Sequence, residues 1–205
     1  MLLEARNICF GYDKKRLVLE GVSFALEAGA RVGLVGSSGC GKSTLAQILA
    51  GNLPPHSGSV LFDNKPFPPK GFCPVQLIHQ HPEKAVNPRW KLKEILAESW
   101  VPDDDFLTAL GIEKSWLNRY PAELSGGELQ RFCIARALAP RTRVIIADEI
   151  STMLDVVTQA QIWELLLRII DQRGLSLLAI THNQALAARV CSQIVQLAGG
   201  RTLLP

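Results

Sequence analysis

Residues 36–44 read Gly36-Ser37-Ser38-Gly39-Cys40-Gly41-Lys42-Ser43-Thr44. The apolar run Arg31–Val35 precedes them. Leu45–Ala50 follows with helical spacing and stops at Gly51, a residue suited to end a helix. The pattern is GxxxxGK followed by Ser, and the strand–loop–helix context makes a phosphate-binding reading specific. Glycines let successive backbone N–H groups turn toward one anion, and the helix N-terminus adds partial positive charge. Lys42 is suited to reach the β and γ phosphates of a nucleotide, and the Ser43 hydroxyl to ligate Mg²⁺.

Working outward, the first thirty or so residues are expected to be antiparallel. Leu2–Phe10 and Val18–Glu27 have strand patterning, with a polar turn at Gly11–Arg16. Ser59–Phe62 is a further short strand, and Pro66, Pro68 and Pro69 mark a loop. Val75–His79, Val144–Ala147, Leu175–Ile180 and Ile194–Leu197 read as strands alternating with helices, which implies a parallel core. Ser125 and Glu128 have capping-box spacing and open a helix to about Leu138. Thr158 to Gln161 has the same spacing before an amphipathic helix to about Arg173, and Gln184–Val190 is a shorter helix. Between Lys84 and about Glu123 the sequence turns to polar helices, around Trp90–Trp100 and Phe106–Leu110. The expected class is α/β, with a mixed sheet core and an N-terminal antiparallel part.

Composition narrows the setting. The chain has 205 residues, 47% of them hydrophobic, enough for a substantial core. Its net charge of +3 does not announce a nucleic-acid partner. No stretch of ~18 apolar residues is present to span a membrane, and no signal peptide is expected. Five cysteines, never spaced CxxC, suit a reducing compartment and argue against a disulfide framework or zinc site. A soluble, intracellular, single unit is expected.

A second chemical signal lies at Asp148-Glu149, where the apolar run Val144–Ala147 ends. Asp148 is suited to hold Mg²⁺ through water. Glu149, one residue on, points elsewhere and can polarise an attacking water as general base.

A phosphate loop alone leaves kinases, GTPases and many ATPases open. Leu124-Ser125-Gly126-Gly127-Glu128-Leu129-Gln130-Arg131 resembles the LSGGQ signature of ATP-binding cassette (ABC) ATPases, with Glu128 in place of the usual Gln. The resemblance covers nearly the whole chain and implies the P-loop NTPase fold of that family. It implies one cassette over residues 1–205, with a helical subdomain at approximately 84–138 inserted in a RecA-like core. Tyr12 sits where the family places an aromatic on adenine, although a tyrosine there also suits packing. Gln80 resembles the Q-loop glutamine that contacts Mg²⁺ or water and faces a membrane subunit. Ser151-Thr152-Met153-Leu154-Asp155 resembles the D-loop, and His182 the switch histidine at the γ-phosphate.

The nucleotide is thus expected on Tyr12, Gly36, Ser37, Ser38, Gly39, Cys40, Gly41, Lys42, Ser43 and Thr44. Ser125, Gly126, Gly127, Glu128 and Asp155 complete it from a second subunit. Glu149, His182 and Gln80 form the catalytic set, and Ser43, Gln80 and Asp148 the Mg²⁺ set. One phosphate loop and one signature imply a head-to-tail dimer with ATP between the two, since in the family these motifs meet only across chains.

The family also implies permeases docking near Gln80 and residues 84–123, and an extracytoplasmic binding protein acting through them. The work is then done at the cytoplasmic face of the inner or cell membrane. Trp90, Trp100 and Trp116 suit either a small core or part of that docking surface. Asn87-Pro88-Arg89, Leu92 to Glu98 and Met153 to Gln161 resemble dipeptide, oligopeptide and nickel importers, with the nickel or metal-chelate side slightly favoured. The short C-terminus departs from that group. Ile150 stands where the family often has proline, and Met153 where it has a small residue; both are expected to be tolerated. Cys40 reads as a passive small side chain, with a reactive thiol as the alternative. His79-Gln80-His81, read on a strand, puts both histidines on one face without a third ligand. The alternative function is a soluble ABC ATPase in cofactor or complex assembly. The short interval between Ser43 and Leu124 leaves no room for the insertions of DNA-repair forms.

Overall fold

The computed structural model describes residues 1–13, 16–67, 71–152 and 154–203. Lys14, Lys15, Pro68, Pro69, Lys70, Met153, Leu204 and Pro205 lie outside them.

β1 (Leu3–Phe10) and β2 (Leu19–Leu26) pair antiparallel, and in β2 Leu19, Val22, Phe24 and Leu26 point inward. β1 also pairs with β4 (Ser57–Phe62), which turns through Asp63 and Asn64 into β5 (Lys65–Pro66). Both turn residues have positive φ, 52° and 60°, the geometry of a tight hairpin. The result is a four-stranded sheet, β2-β1-β4-β5.

The second sheet has the order β10 (Arg201–Leu203), β9 (Gln193–Ala198), β3 (Arg31–Val35), β8 (Ser176–Ile180), β7 (Val144–Asp148), β6 (Val75–Ile78). All but the edge strand β10 run parallel. β7 and β8 are buried throughout, as bare apolar runs covered on both faces require. One face is covered by α1 (Lys42–Leu49). Its Leu45, Ile48 and Leu49 pack between Leu3, Ile8 and Leu26 of the antiparallel sheet and Leu34, Ile146 and Leu178 of the parallel one. The other is covered by α4 (Gly126–Ala137) and α5 (Val156–Arg173), through Phe132, Ile134, Ile162 and Leu166 against Ile145 and Leu177. α6 (Gln184–Val190) leans on β3, where an added Cβ at Gly33 would lie 3.2 Å from the Ala187 methyl.

The helices α2 (Leu92–Ala97), α3 (Asp104–Ala109) and α4 all lie in the connection from β6 to β7. Those strands are parallel neighbours, so the helical region is one elaborated crossover. Its apolar residues Leu92, Ile95, Leu110 and Trp116 join the cluster that covers the sheet. Trp116 is buried, and Trp100 is half-buried and donates Nε1–H to the Ala135 carbonyl at 2.9 Å. Trp90 is 40% exposed, so the three tryptophans divide between core and surface. Arg173, at the end of α5, donates to the Leu138 carbonyl at 2.6 Å and lies 5.1 Å from the Phe106 ring centre.

Three expectations change. α5 begins three residues earlier than its capping-box spacing suggests. Its N-cap is Asp155, whose Oδ1 accepts from the Val157 and Thr158 amides at 3.0 Å each. β6 stops at Ile78, so His79, Gln80 and His81 do not share strand geometry. The helix expected over Trp90–Trp100 is only Leu92–Ala97, because Trp90 closes a turn onto the Asn87 carbonyl. Among the described residues no helix is long and apolar enough to cross a membrane.

Phe132 is fully buried where α4 meets the sheet. Phe132→Ala is expected to lower the unfolding free energy by about 3–5 kcal/mol, read from denaturant titration of the nucleotide-free protein.

Candidate active site

The carboxyl ends of β3, β7 and β8 emerge side by side. β3 feeds the loop 36–44. Gly41 takes φ +104°, and an added Cβ there would lie 2.7 Å from the Leu19 side chain. A Cβ on Gly36 would run into the Leu197 carbonyl and lie 2.8 Å from Cys40 Sγ. The loop is therefore packed against β9 at one end and β2 at the other, with space only for glycine. Lys42 is buried and donates to the Gly36 and Ser37 carbonyls at 2.9 Å each. It thereby holds the loop in a ring. Tyr12 places its hydroxyl 3.2 Å from Thr44 Oγ1 and meets Phe10 edge-on at 5.1 Å, while 70% of the residue stays exposed. One edge of Tyr12 therefore packs, and the rest of the ring is open beside the loop.

β7 delivers Asp148, which is 6% exposed. Burial pushes its carboxyl above the usual aspartate range, with Glu149 adding to the rise; the Ser43 hydroxyl and Lys42 oppose it. Its Oδ1 is buried without a hydrogen-bond partner among the described residues. Glu149 follows with φ +48°, a left-handed conformation that costs a non-glycine residue about 1–3 kcal/mol. Its amide still donates to the Ile180 carbonyl at 3.0 Å, extending the ladder by one bond. This bend separates the two acids. Asp148 stays with Ser43 and Lys42, and Glu149 turns toward the ends of β6 and β8.

There, three groups meet on Glu149. His182 Nδ1 lies 3.3 Å from Oε2, and Gln80 Nε2 lies 3.5 Å from the same oxygen. Gln80 also donates to Thr152 Oγ1 at 3.1 Å, and Thr152 donates to the Glu149 carbonyl at 3.1 Å. Thr152 is a member of this cluster that sequence reading assigned no role. Its hydroxyl becomes informative only when β6 and β7 are known to be neighbours. Ser151, quoted with Thr152 in the D-loop stretch but given no role of its own, is buried and accepts from Gln159 at 2.8 Å and Trp163 Nε1 at 3.0 Å, tying the loop to α5.

Ser125, Gly126, Gly127 and Glu128 lie elsewhere. They open α4 and line a groove of about 830 Å³ with Asp155, Thr158 and Arg131. No residue of the 36–44 loop lines that groove. Ser125 Oγ accepts from the Glu128 amide at 3.3 Å, and a Glu128 carboxylate oxygen accepts from the Ser125 amide at 2.7 Å. Asp155 is spent on capping α5 and also accepts from Thr158 Oγ1 at 2.6 Å. Hydrogen bonds from the Ser125 amide and then its hydroxyl hold Glu128 below the ordinary glutamate value of 4.5, with smaller help from Arg119 and Arg131. A carboxylate with a lowered folded pKa stabilises above its unfolded pKa, and that contribution is lost as pH falls through the folded value. Glu128→Gln is therefore expected to be less stable than the parent at pH 7. The gap should close on acidification below the glutamate range, as read from denaturant midpoints across pH.

A model of the ABC transporter family matches residues 19–152. The nickel import ATP-binding protein NikE of Escherichia coli O6:K15:H31 is 37% identical over 210 residues, covering 93% of this chain and 78% of the relative. NikE of Escherichia coli K12 is 36% identical over the same shares. Among solved structures, the ATP-binding cassette MJ0796, in a dimeric post-hydrolysis state bound to ADP and Pi, superposes with a TM-score of 0.83 at 24% identity, covering 98% of this chain and 97% of that one. For cbiO1 from Clostridium perfringens, part of the ABC transporter complex cbiONQ, the TM-score is 0.80 at 24% identity, covering 99% and 87%. These two likenesses concern the fold. With the family pattern matched over most of the sequence and the loop, acids and signature in its order, the chain belongs to the ABC transporter family and is one of its ATPases.

Proposed function

We propose that this chain powers a membrane importer by closing head to tail with a second cassette subunit on ATP. The observation that carries the reading is the separation of two half-sites. Loop 36–44 with its acids forms one, and the Ser125 groove forms the other. A loop and a signature that face different spaces suit a nucleotide held between two chains. The Ser125 hydroxyl accepts from the Glu128 amide and sits at the mouth of the groove, where it would exchange its contact with the Glu128 carboxylate for the partner's γ-phosphate.

Within its own half-site, Lys42 would exchange the Gly36 and Ser37 carbonyls for the β and γ phosphates. Backbone amides of residues 37–44 would cradle the same anion, and the exposed Tyr12 ring would lie on adenine. The Asp148 oxygen beside Ser43, unpartnered among the described residues, fits a hard divalent cation, so Ser43 and Asp148 are the residues that would hold Mg²⁺, with Gln80 reaching it from its place beside Glu149. When bound, that ion draws charge from the phosphate oxygens. Glu149 takes the proton from a water attacking the γ-phosphorus, and the bond to the bridging oxygen breaks to give ADP and phosphate. Oε2 of Glu149 is held by His182 and Gln80, whereas Oε1 makes no hydrogen bond among the described residues and is the oxygen left for that water.

Identity of 37% to a nickel import ATP-binding protein over 93% of the chain supports an importer and favours nickel or a metal chelate over peptides. The cargo would be bound by permeases and an extracytoplasmic binding protein. The permeases would dock near Gln80 and residues 84–123, at the cytoplasmic face of the membrane. Glu149→Gln is expected to bind ATP, to lose hydrolysis by about 100-fold or more, and to accumulate an ATP-dependent dimer seen by light scattering. Normal turnover by that variant would remove Glu149 from the base role. Recovery from solubilised membranes with soluble partners alone would favour an assembly factor.

A further inference from the structure

Gln130 lies one helical turn beyond Gly126 on α4 and is 1% exposed. Its Nε2 donates to the His79 carbonyl over a long 3.4 Å, and its Oε1 is buried with no donor among the described residues. Exchanging the amide oxygen and nitrogen does not help, because two acceptors would then face each other and the nitrogen would be the orphan. A buried amide left half-satisfied is a cost that folded proteins rarely keep. Its surroundings are specific. Gln130 lines a cavity of about 210 Å³ whose walls are Gln80, His81 and Pro82 on one side, Gly126 of the signature on another, and Ile150 and Leu154 behind the acids. The residue whose carbonyl it reaches, His79, immediately precedes Gln80, and Gln80 touches Glu149 and Thr152.

We propose that Gln130 is a positioning residue that couples the signature to Gln80. In this structure its amide is slack. When Ser125 engages the ATP held by a partner, α4 moves against the segment 79–83. The orphan oxygen then takes a backbone N–H from Gln80 or His81, and the bond to His79 shortens. Gln80 is thereby drawn to its working position against Glu149 by the same helix that senses the partner's nucleotide. The inference rests on the head-to-tail closure proposed above.

The test compares Gln130→Met, similar in volume but without either polar atom, with the parent chain. An ordinary packing or hydrogen-bonding role would lower Tm and ATP affinity together. The coupling role predicts the reverse of the first: Tm of nucleotide-free Gln130→Met is equal or higher, because the orphan is gone. Its KM for ATP should stay within about twofold while kcat falls by about tenfold or more. In the Glu149→Gln background, Gln130→Met should form a smaller fraction of dimer at saturating ATP. Gln130→Glu, which keeps an acceptor, serves as the second variant and should form a larger fraction than Gln130→Met. Parental kcat in Gln130→Met, or a parallel loss of Tm, kcat and ATP affinity, overturns the proposal. If Glu149→Gln with native Gln130 does not dimerise on ATP, head-to-tail closure fails and the coupling falls with it. If it dimerises and Gln130→Met does so equally, only the coupling fails.

Discussion

Parallel pairing of β3, β8 and β7 is the constraint on which the site depends. Parallel strands present their carboxyl ends at one edge of the sheet, where ligand sites of α/β proteins collect. Val35 therefore hands over to Gly36 beside the place where Asp148 and Glu149 leave β7 and Thr181 and His182 leave β8. The pairing stands because both faces of these strands are dry. Leu34, Ile146 and Leu178 face α1 and the antiparallel sheet, while Ile145 and Leu177 face α4 and α5. Solvent on either face would remove the apolar burial that holds the register.

The site stores strain at one residue and disperses its support over several. Glu149 sits in left-handed backbone, yet its amide bonds to Ile180 and its carbonyl accepts from Thr152. That bend gives adjacent acids opposite environments. Asp148 is buried with an unpartnered oxygen, and Glu149 shares its Oε2 with His182 and Gln80. Loop 36–44 shows a related economy. Lys42 closes on the loop's own carbonyls, so the loop is shaped around a cation.

The departure at Glu128 belongs with the same physics. A carboxylate accepting the Ser125 amide completes the N-terminus of α4 more strongly than a neutral amide would, since charge-assisted bonds to backbone N–H are the stronger kind. Glu128 is then directed at its own helix, and Asp155 likewise caps α5. Both were expected on a partner's nucleotide. In this structure each orders the helix start that borders the signature groove.

By itself the sequence determined the α/β class, the parallel core, the phosphate loop and the acids at the end of β7. Each of these is written locally, in glycine spacing, apolar runs and caps within a few residues. It misjudged the start of α5 because Thr158 to Gln161 and Asp155 both offer caps. Asp155 prevails because it satisfies two amides where one cap normally satisfies fewer. Tertiary structure alone decided that β6 lies next to β7, and hence that Gln80, Thr152, His182 and Glu149 meet. It alone left Gln130 half-paired against His79 and separated the signature groove from the loop. The reason is that these contacts join residues far apart in the chain, from 33 positions for His182 and Glu149 to 72 for Gln80 and Thr152. Strand order and helix packing set such distances, and no local pattern carries that information.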